Sequence, residues 1–392
     1  MRHFTRFWLL FMLAVPGVGQ VFAKPFTPES DSVVLERLPE KTDPSLSELK
    51  RLRIAVASNP HNVEIATHVA RRAIEASRAT GDPRFLGQAQ AALSPWWNVA
   101  EPPVPVLVLR ATIKQSQHDF AGALADLDRL LAARPADGQG LLTRATIHTV
   151  QGRYANAQND CAKLARVASG LVTMTCMAGA SSLSGDAAGA YGGLTRALAQ
   201  TEERGSTRVW ALTLAAEIAA RRGDAAAADA QFNAALAIDT RDGYLSAAYA
   251  DHLLDTGRSA DVVRLLANDT KNDSLLLRLA LAESTLPDRH VEFNDHRREL
   301  ALRFAAAKRR GDTLHLREEA RFQLEVERDP QAALALAHAN WKSQREPADL
   351  YLLAAAGRAV GDAMALRTVS EWLASTRLEY PAVAALVAGG AR

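Results

Sequence analysis

The chain has 392 residues, with 46 basic and 44 acidic side chains and a formal net charge of +2. So even a balance excludes the strong field that draws a protein to nucleic acid or to an anionic lipid surface. Hydrophobic residues make up 48% and aromatic ones only 6%; much of the apolar share is alanine, which suits helices packed closely at many successive interfaces more than one large core.

In chain order, Arg2, His3 and Arg6 form a positive region, Phe7 to Val15 an apolar run, and Pro16-Gly17 a break before Val21-Phe22-Ala23. This predicts a secretory signal peptide cut after Ala23, and so a periplasmic or secreted chain. A retained anchor is the competing reading, but the run is short for a bilayer. No later stretch is apolar enough for a span, so no membrane crossing is expected after cleavage. No cysteine lies near the cut, which argues against lipidation there.

Residues 24 to about 45 carry Pro25, Pro28, Pro39 and Pro44 among charges and read as an extended lead-in. Ser45 and Glu48 mark a helix start. Val63, Ala66, Val69, Ala70, Ala73 and Ile74 keep helical spacing. Gly81-Asp82-Pro83 stops that helix, and Phe85, Leu86, Ala89, Ala92 and Leu93 supply the face of its partner. A stiff connector follows from Ser94-Pro95-Trp96-Trp97 to Pro105. Its Trp pair reads as the cover of a helix stack, or alternatively as a ligand platform.

From Pro105 the chain echoes itself. Arg110-Ala111-Thr112-Ile113 returns as Arg144-Ala145-Thr146-Ile147, about 34 residues on, with Leu107 answered by Leu141, Phe120 by Tyr154 and Ala123 by Ala157. Turns are expected at His118-Asp119, Gly152-Arg153, Gly185-Asp186, Gly223-Asp224 and Gly257-Arg258, with Ala123, Ala157, Ala190, Ala228 and Val262 behind them. Ala111, Ala145, Ala178 and Ala216 hold matching places on the preceding helices. Glycine permits the positive φ at which a first helix stops. Beyond about residue 275 the period blurs. Residues 291 to 325 read as one longer, charged helix pair turning at Gly311-Asp312. Asp329-Pro330 and Gly361-Asp362 restore the period, and Pro347 and Pro381 are expected where helices end. In all, roughly eight to nine helix pairs are expected.

A helix-turn-helix unit of this period resembles the tetratricopeptide (TPR) repeat, and the chain resembles bacterial exported TPR proteins over roughly residues 60 to 380. The family's large aromatic early in the first helix is replaced by Leu107 and Leu141, and its usual apolar residue by Arg110 and Arg144. The resemblance implies an all-α, right-handed α-solenoid whose first helices line a concave face that holds a protein or peptide, without catalysis. The organisation expected is a signal peptide at 1–23, a Pro-rich lead-in and first helix at 24–60, and a degenerate first repeat at 61–102. The TPR array then covers 103–275, and divergent and capping helices 276–392.

On that register Thr112, Gln115, Thr146, Thr149, Thr213, Glu217 and Arg221 point into the groove, where polar side chains can bond an extended backbone; simple solvation is the competing account. There is no G-x-S-x-G elbow, no P-loop and no H-E-x-x-H. No catalytic residue, metal site or cofactor is expected. Two histidine groups, His61 and His68 near Glu64, and His290 and His296 near Asp295, read as solvated surface and loop. The second leaves open an enzyme or maturation factor with a site in the 285–330 region. Cys161 and Cys176 fall on neighbouring helices and can pair as a disulfide in an oxidising compartment; two buried free thiols are the blander reading.

Overall fold

A computed structural model describes residues 44–80, 84–311 and 314–389, with Ser30 and Asp82. The expected leader and its cut after Ala23, the proline-rich lead-in up to residue 43 apart from Ser30, Gly81 and Pro83 of the expected helix stop, and Asp312 of the Gly311-Asp312 turn lie outside the described residues, as does the Ser45 side chain. Among the described residues no helix is long and apolar enough to cross a membrane.

From Pro44 onward the described chain is helical throughout. After α1 (Pro44–Ser58) come α2 (Val63–Thr80) with α3 (Arg84–Ala92), then the short α4 (Ser94–Trp97). The pairs continue as α5 (Val104–Ser116) with α6 (Phe120–Ala133), α7 (Gly138–Val150) with α8 (Tyr154–Leu164), and α9 (Gly170–Ser181) with α10 (Ala187–Gln200). Next are α11 (Ser206–Arg221) with α12 (Ala225–Leu236), α13 (Gly243–Asp255) with α14 (Ser259–Leu266), and α15 (Asp273–Glu283) with α16 (His290–Arg309). Then come α17 (Leu316–Arg321), prolonged by a π-helical turn Phe322–Val326, with α18 (Pro330–Trp341), and α19 (Pro347–Val360) with α20 (Ala363–Thr376). The closing helix is α21 (Pro381–Ala388). Each first helix packs on its own partner and on the first helix of the next pair, from α2 to α19. The result is an α-solenoid with one continuous layer of first helices.

Local chemistry explains the pairs. Gly152, Gly185, Gly223, Gly257, Gly311 and Gly361 all turn at positive φ, where a Cβ is strained. In the α5–α6 turn His118 takes the same conformation, φ 59°, which costs a non-glycine residue. The aspartate after the turn then caps the second helix: Asp119, Asp186, Asp224, Asp329 and Asp362 each accept a backbone N–H of the first turn. Ala111, Ala145, Ala178 and Ala216 are buried against the buried Ala123, Ala157, Ala190 and Ala228 positions of the second helices. A side chain as large as leucine at Ala228 would overpack this contact at a cost of about 1–3 kcal/mol.

Three expectations need correction. Residues 291–325 are not one pair: α16 closes the α15 pair and α17 opens the next, because α16 runs for 20 residues and shifts the register. Pro347 and Pro381 begin α19 and α21, since proline's missing N–H costs nothing in a first turn. Cys161 and Cys176 are bonded to each other rather than free, joining α8 to α9 with Cα atoms 5.6 Å apart.

The solenoid also meets itself. The turn side of the early pairs is covered by the last ones: Tyr154 and Leu183 share a buried cluster with Leu334, Leu350, Leu353 and Val369.

Candidate functional site

The residues expected in the groove divide by depth. Thr112 and Thr213 are buried, each hydroxyl donating to the carbonyl one turn back, Val108 and Val209, at 2.8 Å. They belong to the helix packing and not to an open face, although Thr146, which answers Thr112 in the repeat, is exposed: the same register position is covered in one pair and open in the next. Thr146 is exposed and Thr149 half-buried, and both satisfy their hydroxyls on their own helix, at Leu142 and Ala145. Gln115 is half-buried. Glu217 and Arg221 reach the interior between first helices, and it is there that polar groups converge.

The centre of that interior is Glu217 on α11 with Tyr244 at the start of α13. The Tyr244 hydroxyl donates to Glu217 Oε1 at 2.7 Å. Solvent reaches Tyr244, which is 63% exposed, while charges of other helices surround the pair: Arg221, Glu346, Asp251 and Arg317 all act on it. Burial pushes the Glu217 carboxyl up to about 7, against the opposing pull of the Tyr244 hydrogen bond and Arg221. The Glu217 charge, more than burial, pushes the Tyr244 phenol well above its ordinary range. Arg221 donates to the Ser182 carbonyl at 3.0 Å. Two turns along α13, Asp251 accepts from Arg278 at 2.6 Å and from Arg321. Burial would raise its carboxyl, but the two guanidiniums outweigh it and hold it low. Asp255 has no such partner and is pushed up to about 6 by burial and by Asp251. Five consecutive first helices, or the residue just before one, thus turn ionisable groups toward one wetted interior. This arrangement can hold a chain by charge and hydrogen bonding; it brings no nucleophile beside a base.

Sequence reasoning missed a second polar feature, structural in kind. Arg110 and Asp126 are buried together, side chains 3% and 2% exposed, with Nη2 to Oδ1 at 2.5 Å. Arg110 Nη1 also donates to the carbonyls of Trp96, Trp97 and Val99 at 2.8–2.9 Å, so it terminates α4. The Trp pair packs among residues of α1, α2, α3 and α5, between the first two helix pairs and not over the end of the stack. The echo repeats the pair: Arg144 binds Asp160, the two shifted together by the same period, and also Asp128. The signal was present in the sequence, because Asp126 and Asp160 recur in step with Arg110 and Arg144.

His290, Asp295 and His296 lie inside α16 and not in a loop. His296 Nδ1 meets the buried Glu283 carboxylate at 2.7 Å, Asp295 pairs with Arg298, and His290 faces the Pro287 carbonyl at 3.2 Å. His68 lies 4.0 Å from Glu48 and His61 sits edge-on to Trp96 at 6.5 Å. Among the described residues no three His, Cys, Asp or Glu side chains are grouped to hold a metal ion.

No protein-family model matches the chain, and no curated protein matches it. Among solved structures it is similar to a tetratricopeptide repeat protein from Parabacteroides merdae, at 14% identity and a TM-score of 0.37, over 79% of this chain and 98% of that one. It is also similar to the TPR domain of P58(IPK), at 18% identity and a TM-score of 0.29, over 80% and 83%. The assignment of TPR-like helix pairs rests on the period, the turns and the packing described above.

Proposed function

We propose that this array of TPR-like helix pairs is an exported, non-enzymatic scaffold. It binds a protein or peptide segment through the interior of its first-helix layer and assists assembly of an envelope or exported complex. The observation that carries this reading is Tyr244: a solvent-reached aromatic ring whose hydroxyl is already seated on Glu217. Aromatic side chains so placed supply contact area at low entropic cost, and the surrounding mixed charges favour a segment with polar backbone and both signs of charge. The leader at 1–23 supports export to the periplasm or beyond. A photo-crosslinking residue in place of Thr146, in cells producing the full chain, tests it. One dominant captured protein, lost on Tyr244→Ala with helical content intact, is the expected result. Equal capture by the Tyr244→Ala chain would overturn the assignment of this surface.

A second reading has one observation behind it. His296 held on buried Glu283 is a base with an orienting carboxylate, so an enzyme with its site in the 285–330 region would lose turnover on His296→Ala while keeping its captured partners.

A further inference from the structure

The last two helix pairs are pinned to the turns of the early ones, in step with the repeat. Gln344 meets His118, the Arg345 N–H donates to the Val150 carbonyl at 2.8 Å, and Trp372 lies on Gly152, whose missing Cβ would fall 2.3 Å from the ring. Arg377 lies against Gly185, and Glu379 accepts from the Ala187 N–H at 3.2 Å. Arg345 sits over the Trp372 ring at 5.3 Å, and Trp341 packs edge-on to it at 5.3 Å. These contacts cover the apolar Tyr154 and Leu183.

The first contact of this series has a direction imposed from one end. Asp349, buried, holds Arg317 through both oxygens, with Nε at 2.6 Å and Nη2 at 2.9 Å. A carboxylate so paired only accepts, so Asn340 must present Nδ2 to it, at 2.7 Å. That leaves Asn340 Oδ1 to accept, and Gln344 must present Nε2, at 3.1 Å. Arg317 Nη2, at 3.4 Å from Gln344 Oε1, agrees with the same orientation. The second proton of Nε2 therefore points at His118 Nδ1, 3.2 Å away, and Nδ1 must be an unprotonated acceptor. The histidine is also stacked on Phe120 at 5.6 Å.

We propose that the contact of the last two helix pairs with the early turns is an acid-released latch, in which protonation of His118 uncovers the Tyr154–Leu183 face. A proton on Nδ1 sets donor against donor, and the chain of amides cannot reverse without breaking its bond to Asp349. The charges facing His118 are Arg317 and His315, which oppose protonation, and Glu318 and Asp349, which favour it; burial is the largest influence and lowers the imidazole below its ordinary value. On opening, the imidazole returns to water and a pKa of about 6.5. The closed state thus binds the proton less tightly than the open one. Closure is complete above that pH, and the closed-to-open ratio falls by up to about tenfold per pH unit below it.

The latch is independent of the partner proposed above. Its test is amide hydrogen exchange on the full chain at about pH 7.5 and about pH 5, corrected for intrinsic rates. The wild type should lose protection at 150–156, 183–188 and 344–350 in acid. His118→Asn keeps an acceptor, Oδ1, where Nδ1 stood, and asparagine tolerates the positive φ; it should stay protected at both values. Gln344→Ala, with helical content intact, should be unprotected at both. Acid release in His118→Asn equal to that of the wild type, or no release in the wild type, would overturn the proposal.

Discussion

Removing Asp126 is the sharpest test of how the start of the array is held. In Asp126→Ala the Arg110 guanidinium stays buried, 3% exposed, without its carboxylate. Stripping one partner from a buried ion pair costs about 3–5 kcal/mol. Three carbonyls, of Trp96, Trp97 and Val99, still accept from Arg110, which places the cost near the lower end, about 3 kcal/mol. The equivalent change in the next pair, Asp160→Ala, should cost less: Arg144 is 16% exposed and keeps Asp128. Replacing both Arg110 and Asp126, as Arg110→Met with Asp126→Leu, should recover only part of the loss, because the three carbonyls are then left without a donor and Lys114, 2.9 Å from Asp126, loses its carboxylate. Guanidinium unfolding followed by circular dichroism measures the totals. Repeat arrays lose structure unit by unit, so hydrogen exchange of α5 and α6 must show where the loss falls. An Asp126→Ala chain within about 1 kcal/mol of wild type would refute the reasoning, as would a double variant as stable as wild type.

Three further outcomes follow from the geometry. Gly152→Ala meets both a φ of +72° and the Trp372 ring, so it should loosen α20 and raise exchange there, while the open Gly223→Ala should report backbone strain alone. Reduction of Cys161–Cys176, which are 15 residues apart, should lower stability by about 3 kcal/mol in the chain-entropy account, read as an earlier denaturant midpoint for α8 and α9. Glu217 has a folded pKa of about 7, raised above its unfolded value. Its ionisation therefore destabilises as pH rises from the unfolded pKa through 7; Glu217→Gln should raise the denaturation midpoint at about pH 8, with a gain that vanishes toward pH 4.5.

Much of the fold was legible because its determinants are local. The return of Arg110-Ala111-Thr112-Ile113 at Arg144, the glycine at most turns and the small residue behind it act within one or two neighbouring helices. A repeat that packs only on its neighbours carries its own instructions. The aspartate caps and the paired Arg110–Asp126 and Arg144–Asp160 were equally local and simply went unread. The depth of the groove residues was less legible: Thr112 and Thr146 hold the same place in the repeat, yet Thr112 is buried and Thr146 exposed, because what covers a position depends on the neighbouring elements and not on the period.

What the amino-acid sequence by itself determined, then, is the helix pair, its period and the close alanine contacts that hold the two helices of a pair together. The tertiary structure alone decided where the array meets itself. Gln344 and His118 lie 226 positions apart, and no periodicity relates them. Their meeting depends on small rotations summed over the intervening pairs, each set by side-chain size at an interface. The convergence of Glu217, Tyr244, Arg317 and Glu346 on one interior arises from that same summation, which is why the polar centre, unlike the repeat, could not be read residue by residue.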